Sequence, residues 1–385
     1  MKEYDRIQIQ EICTRICSGG TPKSTVKEYY GGTIPWLNTK EVNFNRIHST
    51  EKTITNKGLE NSSAKWIDEN AVIVAMYGAT AGKSAISKIP LTTNQACCNL
   101  IMDPNKADYR FVYYALYNDY NRLASLANGG AQQNLNAMQI KEFDIPYPSL
   151  EEQTAIADFL SALDDKIEIN RQINDNLEQQ AHALYKSWFV DFEPFKNGEF
   201  IDSELGIIPE GWRVGELSEI TNITSGKRPT TKSDYPTSID KVPVLGASGI
   251  MAYTADNLYD IPILIIGRVG TLGIVQKIDA ESWPSDNTLV ILSKNYHFVY
   301  FNLKSIDYQA INRGSTQPLI TQSDIKQQMI LIPQDEVLMK FEENVNILDK
   351  AIKNNNKAIK NLEILRDTLL PKLMSGELKI NEIDC

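Results

Sequence analysis

From Glu151 to Asp191 the chain runs 41 residues without glycine or proline, and its apolar side chains return every third or fourth position. Ile156, Leu160, Leu163, Ile167, Leu177, Ala181, Leu184 and Trp188 fall on one stripe, which predicts a single amphipathic helix. At 1.5 Å per residue it would be about 60 Å long, far beyond the usual helix and too long for one small domain to bury. A second stripe, Val345, Leu348, Ile352, Ile359, Leu362 and Leu369, predicts a helix over about 336–370, with Pro371 and Gly376 to stop it. Elsewhere the apolar runs are strand-sized, as at 71–77 and 263–267, and are bounded by glycine turns.

The chain repeats itself. From Leu135 onward a constant offset of 185 residues matches Ile140 to Ile325, Lys141 to Lys326, Ile145 to Ile330 and Pro148 to Pro333. It carries into the helices, where Leu163, Asp164, Ile167, Leu177 and Leu184 meet Leu348, Asp349, Ile352, Leu362 and Leu369. Upstream, with gaps, SGGTP (18–22) pairs with SGKRP (225–229), IPWL (34–37) with VPVL (242–245), and FVYYAL (111–116) with FVYFNL (298–303). Asn136-x-x-Gln139 and Thr321-x-x-Asp324 read as capped starts of a short helix in each copy.

The expected fold is mixed α/β (α+β): two homologous globular domains separated by two long helices forming an antiparallel coiled coil, with an internal pseudo-twofold repeat. The segments are 1–150, a spacer helix at 151–192, a linker at 193–210, a second domain at 211–335, and a helix with tail at 336–385. The predicted helix seam is Leu160, Leu163, Ile167, Asn170, Leu177 and Leu184 with Leu348, Ile352, Asn355, Ile359, Leu362 and Leu369. Asn170 and Asn355 share the offset, and a polar seam residue fixes register, so the two are expected near the crossing.

Composition narrows the class. The 385 residues are 42% hydrophobic and 23% charged, without an apolar run of membrane-spanning length or a secretory leader pattern, which predicts a cytoplasmic globular protein. Five cysteines without a CxxC pair and three histidines make a metal site unexpected. The net charge of −10 is uneven: residues 1–150 carry +2, 151–204 carry −9, 205–335 carry −2 and 336–385 carry −1. The acidity lies around the central helix, so either globular part could meet a polyanion.

Candidate chemistry is sparse on catalysis. GATAGKS (78–84) follows a strand but has three residues between Gly78 and Gly82 where a P-loop needs four, and its repeat partner Gly270–Gly273 has no lysine. DFEPF (191–195) lacks the second proline of an amino-methyltransferase motif, and Glu377-Leu-Lys379 lacks the strand of a nuclease. No catalytic constellation is expected. What recurs is loop chemistry suited to base edges and phosphates. In the first copy it is Ser18, Thr21, Lys23, Asn38, Lys40, Lys83, Asn94, Gln95, Gln132, Gln133 and Asn134; in the second, Lys227, Arg228, Lys232, Ser248, Arg268, Asn287, Arg313, Ser315 and Gln317. Trp36, Trp66, Trp212 and Trp283 are assigned to packing before base stacking.

PSLEEQ followed by IADFLSALDDKIEINRQINDNLEQQAHALYKSWFVDFEP, with SGGTP, IPWLNTKEVN, PEGWR and the late LLPKLMSGEL, resembles the specificity subunits of type I restriction–modification enzymes over the whole chain. The resemblance implies two target-recognition domains, each reading half of a bipartite double-stranded DNA site, and helices acting as a ruler. It also implies two adenine methyltransferase subunits that carry S-adenosylmethionine, and translocase–nuclease subunits that use ATP and Mg, with no cofactor on this chain. The competing reading is a coiled-coil scaffold whose globular parts bind proteins, which salt-sensitive duplex binding would distinguish.

Overall fold

The computed structural model describes residues 4–127 and 134–382. The chain divides into two compact units, Met1–Asn170 with Lys357–Cys385, and Arg171–Asn356. The two long helices, Leu150–Phe189 and Asp335–Ser375, each contribute one half to each unit.

In the first unit a five-stranded sheet runs Cys13–Ser18, Cys97–Met102, Val72–Ala75, Ser84–Ser87, Asn45–Ile47. A four-stranded sheet runs Lys52–Ile54, Tyr30–Leu37, Leu91–Thr93, Trp66–Ile67. The strand Val72–Ala75 lacks polar alternation because both of its faces are covered. Val72 and Val74 pack with Phe111 and Val112 of the helix Tyr109–Asn118 and with Ile156 and Leu160 of the central helix. Ile73 and Ala75 pack with Leu37, Val42 and Leu91. Each fully buried aliphatic side chain contributes about 1.5–3 kcal/mol.

The second unit repeats both sheets with one strand fewer in each. Its larger sheet runs Asn222–Ser225, Thr288–Leu292, Ile263–Gly267, Val275–Ile278, and its smaller one Gly249–Thr254, Val242–Gly246, Trp283–Pro284. Leu264 and Ile266 face Phe298 and Val299, while Ile263 and Ile265 face Leu245. The parallel pairing within the smaller sheet recurs, Trp36 with Thr92 and Val244 with Trp283. In each copy the opening extended segment is broken by a helical turn, Ile9–Ile12 in one and Leu217–Glu219 in the other. The capping boxes at Asn136 and Thr321 are both formed.

The long helices hold three departures from expectation. In the second unit they run antiparallel, since Asn174 meets Asn355 and Asn356 while Phe189 meets Phe341 with ring centroids 4.8 Å apart. The partner of Asn355 is therefore Asn174, not Asn170: Asn355 Nδ2 donates to Asn174 Oδ1 at 3.0 Å, and Asn174 Nδ2 donates to Asn356 Oδ1 at 2.8 Å. Equal sequence offset marks repeat-related positions, which need not face each other across an antiparallel pair. Second, Pro371 does not stop the distal helix. It deprives the helix of one donor near its end, at a cost of about 3 kcal/mol. Burial of Leu370, Leu373 and Met374 in the first core offsets that cost, and the helix ends before Gly376, whose φ is +74°. Third, the linker carries a hairpin of Phe200–Ser203 with Gly206–Pro209, and Phe192 and Phe195 pack on Trp212.

The remaining seam positions are buried or half-buried. The acidity of the central helix is largely spent on its own unit. Arg46 pairs with Asp165 and Glu168, His48 with Glu168, and Arg110 with Asp158. Asp164 accepts from Tyr114 Oη at 2.6 Å and from Arg366 Nη1 at 2.8 Å.

Candidate nucleic-acid interface

One end of each pair of sheets is closed by the same backbone knot. In the first unit Gly20 N donates to Thr93 O, Asn94 N to Leu37 O, Met76 N to Ala96 O, and Leu135 N to Met76 O. In the second, Lys227 N donates to Pro284 O, Ser285 N to Leu245 O, Arg268 N to Asn287 O, and Ile320 N to Arg268 O. Four loops meet at each knot: the Ser-Gly loop after the first long strand, the end of the strand at 37 or 245, the turn after the buried strand, and the segment after the short helices. Gly19 and Gly226 are required there because a Cβ would stand 2.2 Å from Thr93 O or Ser285 O. GATAGKS is such a turn: it joins antiparallel strands, and no helix follows it to make a phosphate cradle.

The knot gathers Ser18, Thr21, Lys23, Asn38, Lys40, Asn94, Gln95 and Asn134 at one end of the first unit. Ser18, Thr21, Lys23, Gln95 and Asn134 are exposed. Others are engaged internally. Asn38 accepts from Lys40 N at 3.2 Å, Lys40 pairs with Glu51 at 2.5 Å, and buried Asn94 donates to Thr39 Oγ1 at 3.1 Å. Lys83 donates to Asn43 Oδ1 at 2.6 Å and lies 5.9 Å over the Phe44 ring. Gln132 and Gln133 lie outside the described residues.

In the second unit Ser248, Asn287 and Gln317 converge on one cavity of about 340 Å³, lined also by Gly246–Met251, Val269 and Ser285. Lys227 and Arg228 are exposed beside it on the Ser-Gly loop, Arg228 pairing with Asp286 at 3.4 Å. Arg268 is half-buried on the turn, and Ser315 is exposed. Lys232 stands apart, next to Ser233, whose backbone pairs with Tyr253 on the outer edge of the smaller sheet. Arg313 is held by Asp324, with Nε to Oδ1 at 2.9 Å. Burial would raise the Asp324 pKa, but bonds from Thr321 and Arg313 hold it below the usual carboxylate range.

Three exposed apolar residues at these ends escaped the sequence reading: Tyr77 at 45%, Ile250 at 58% and Met251 at 49%. Ile250 and Met251 are exposed on the edge strand Gly249–Thr254, and Tyr77 opens the turn at Gly78–Thr80. Of the four tryptophans assigned to packing, Trp36 and Trp212 are buried, Trp283 donates to Lys227 O at 2.7 Å, and Trp66 is 43% exposed. Among the described residues no cluster of metal-ligating side chains is present, and no helix is long and apolar enough to cross a membrane.

Residues 1–179 and 209–364 match the family model described as the type I restriction modification DNA specificity domain. The MjaIX specificity subunit of Methanocaldococcus jannaschii is 34% identical over 99% of this chain and 95% of its own length. The HindI specificity subunit of Haemophilus influenzae is 25% identical over 68% of this chain and 74% of its own. The crystal structure of the S subunit from M. genitalium superposes with a TM-score of 0.64 at 18% identity, covering 96% of both chains, which shows a shared fold. A fold built twice on one pair of helices, matched to that model across both copies, places the chain in the family of type I restriction–modification specificity subunits.

Proposed function

We propose that each unit reads one half of a bipartite, asymmetric DNA site in the major groove through the loops gathered at its knot. The long helices would set the spacing of the two half-sites and dock methyltransferase and restriction subunits. The observation that carries this reading is the duplication of the knot, with exposed lysine, amide and hydroxyl side chains at the same end of both units. The divergence of those side chains between copies suits a site whose halves differ. A helix of about 60 Å corresponds to roughly seventeen base pairs at 3.4 Å per step, enough for two readers with an unread gap between them. On the helices, Ile173 at 43%, Ile347 at 67% and Ile364 at 56% exposure supply apolar surface suited to partner subunits. The chain would provide the address, and methyl transfer with S-adenosylmethionine and ATP- and Mg-dependent cleavage would reside on those partners.

The test is to map methylated adenines in a host that carries this chain with its methyltransferase. Exchanging residues 1–150 for the matching part of a relative should change one half of the site only. Deleting four residues, about one turn, from the central helix should change the gap and not the bases read. If the exchange alters both halves, the two-reader model is wrong.

A further inference from the structure

The cavity in the second unit lies where the matching backbone of the first carries larger polar side chains, as the repeat shows. The backbone knots equate Ser285 with Asn94, Asn287 with Ala96, and the segment Gly246–Ser248 with Asn38–Lys40. In the first unit, Asn94 fills its place and is satisfied there: its amide donates to Thr39 Oγ1 and its carbonyl oxygen accepts from Ala96 N. In the second unit, a serine faces Ala247 where asparagine faces threonine, and Gly246 stands where Asn38 caps a turn. Side-chain volume is lost on both walls, and the space of about 340 Å³ opens.

The floor of that space carries a polar group with nothing to bond. Ser285 is only 3% exposed, and its Oγ has no hydrogen-bond partner among the described residues. Arg268 Nε, on the residue whose backbone N–H bonds Asn287 O, is likewise buried and unpartnered. A buried polar atom left unpaired is costly, and a native protein retains one where something else completes it. At the rim stand the exposed amides of Asn287 and Gln317. Beside them Ile250 and Met251 are 58% and 49% exposed. Carboxamides match the N6 and N7 positions of adenine bidentately, and an apolar side chain matches the C5 methyl of thymine.

Resting on the reading of each unit as a half-site reader, we infer that this pocket determines specificity at one A·T pair of the half-site read by the second unit. Asn287 and Gln317 contact the adenine edge, Ser285 Oγ completes that network from the floor, and Met251 with Ile250 lies against the thymine methyl.

The experiment is methylome sequencing of a host carrying the full chain with its methyltransferase, comparing wild type with Asn287→Ala, Gln317→Ala and Ser285→Ala. Gln95→Ala, at the knot of the first unit, is the control for location: any change it makes falls on the other half-site and leaves the one read by the second unit as it was. The expected result is loss of about ten- to a hundredfold discrimination at one A·T position of a single half-site in the three pocket variants. The other half-site and the gap stay as they were. Because Ser285→Ala removes an unpaired hydroxyl, its Tm should match or exceed that of wild type, which separates loss of reading from loss of fold. If the wild-type complex methylates a bipartite site and all three variants keep full discrimination at every position, the pocket assignment is overturned. A change confined to a G·C position also overturns it. If the wild type shows no bipartite site at all, the half-site reading itself fails.

Discussion

Arg366 lets one interaction be tested quantitatively. Its guanidinium donates to Asp164 Oδ1 at 2.8 Å and to Tyr117 Oη at 3.2 Å, and lies 5.2 Å from the centre of the Tyr117 ring. Both charged side chains are only 15% exposed, so solvent does little to screen them. Replacing Arg366 with Met keeps an apolar side chain of similar length but leaves Asp164 with Tyr114 Oη as its remaining donor. Breaking one side of a buried pair costs about 3–5 kcal/mol; the surviving tyrosine bond returns about 1 kcal/mol. The expected loss is therefore about 2–4 kcal/mol, borne by the part of the distal helix that completes the first unit. Hydrogen exchange of residues 357–375 on the full chain, with urea unfolding alongside, measures it. Removing the stranded charge as well, in Arg366→Met with Asp164→Asn, should recover more than half. If the single variant stays within about 0.5 kcal/mol of wild type and its exchange pattern is unchanged, this pair does not hold the helix, and the reasoning is refuted.

Three further outcomes follow from the structure. His297 is 2% exposed and sits with Nε2 3.1 Å from Asn346 Oδ1. Burial above all, together with Lys277 and Lys353, holds its pKa below the ordinary 6.5, although Asn346 and Asp349 oppose them. The unfolded chain therefore binds the proton first as pH falls. Its contribution is complete above about pH 6.5 and is lost on acidification below it, with a slope of at most about 1.4 kcal/mol per pH unit. Urea midpoints from pH 7.5 to 5 should show that slope, and His297→Gln should remove it. Gly226→Ala should destabilise the second unit by about 1–3 kcal/mol or more, seen as a lower Tm, because its Cβ would meet Ser285 O at 2.2 Å. Thr321→Ala, which deletes the cap on Asp324 N, should cost about 1 kcal/mol by the same measurement.

Much of this architecture could be read from residue order. Stripe period located both long helices, and the offset of 185 residues revealed the duplication before any strand was paired. Capping boxes were legible because they are local. What could not be read depends on partners distant in the chain. Asn174 is one such case: nothing along the sequence singles it out over Asn170, and only the antiparallel register sets it against Asn355. Pro371 is another, since local rules end the helix there and burial of Leu373 and Met374 overrides them. The site was legible at the level of loops but not of side chains. Ser248, Asn287 and Gln317 line one cavity, whereas Lys40, Lys83 and Arg313, similar in sequence terms, are tied to Glu51, Asn43 and Asp324.

Because Lys357–Cys385 belongs with Met1–Asn170, synthesis order and completion order differ. A ribosome delivers Arg171–Asn356 as one uninterrupted stretch, able to close on itself as soon as it has emerged. The segment made first must instead wait, with Ile156 and Leu160 lacking their neighbours Leu370, Leu373 and Met374, until the last turns of the distal helix are made. A nascent chain halted before residue 357 would hold a finished second unit and an open first one. Chaperone capture should fall most heavily on that waiting half.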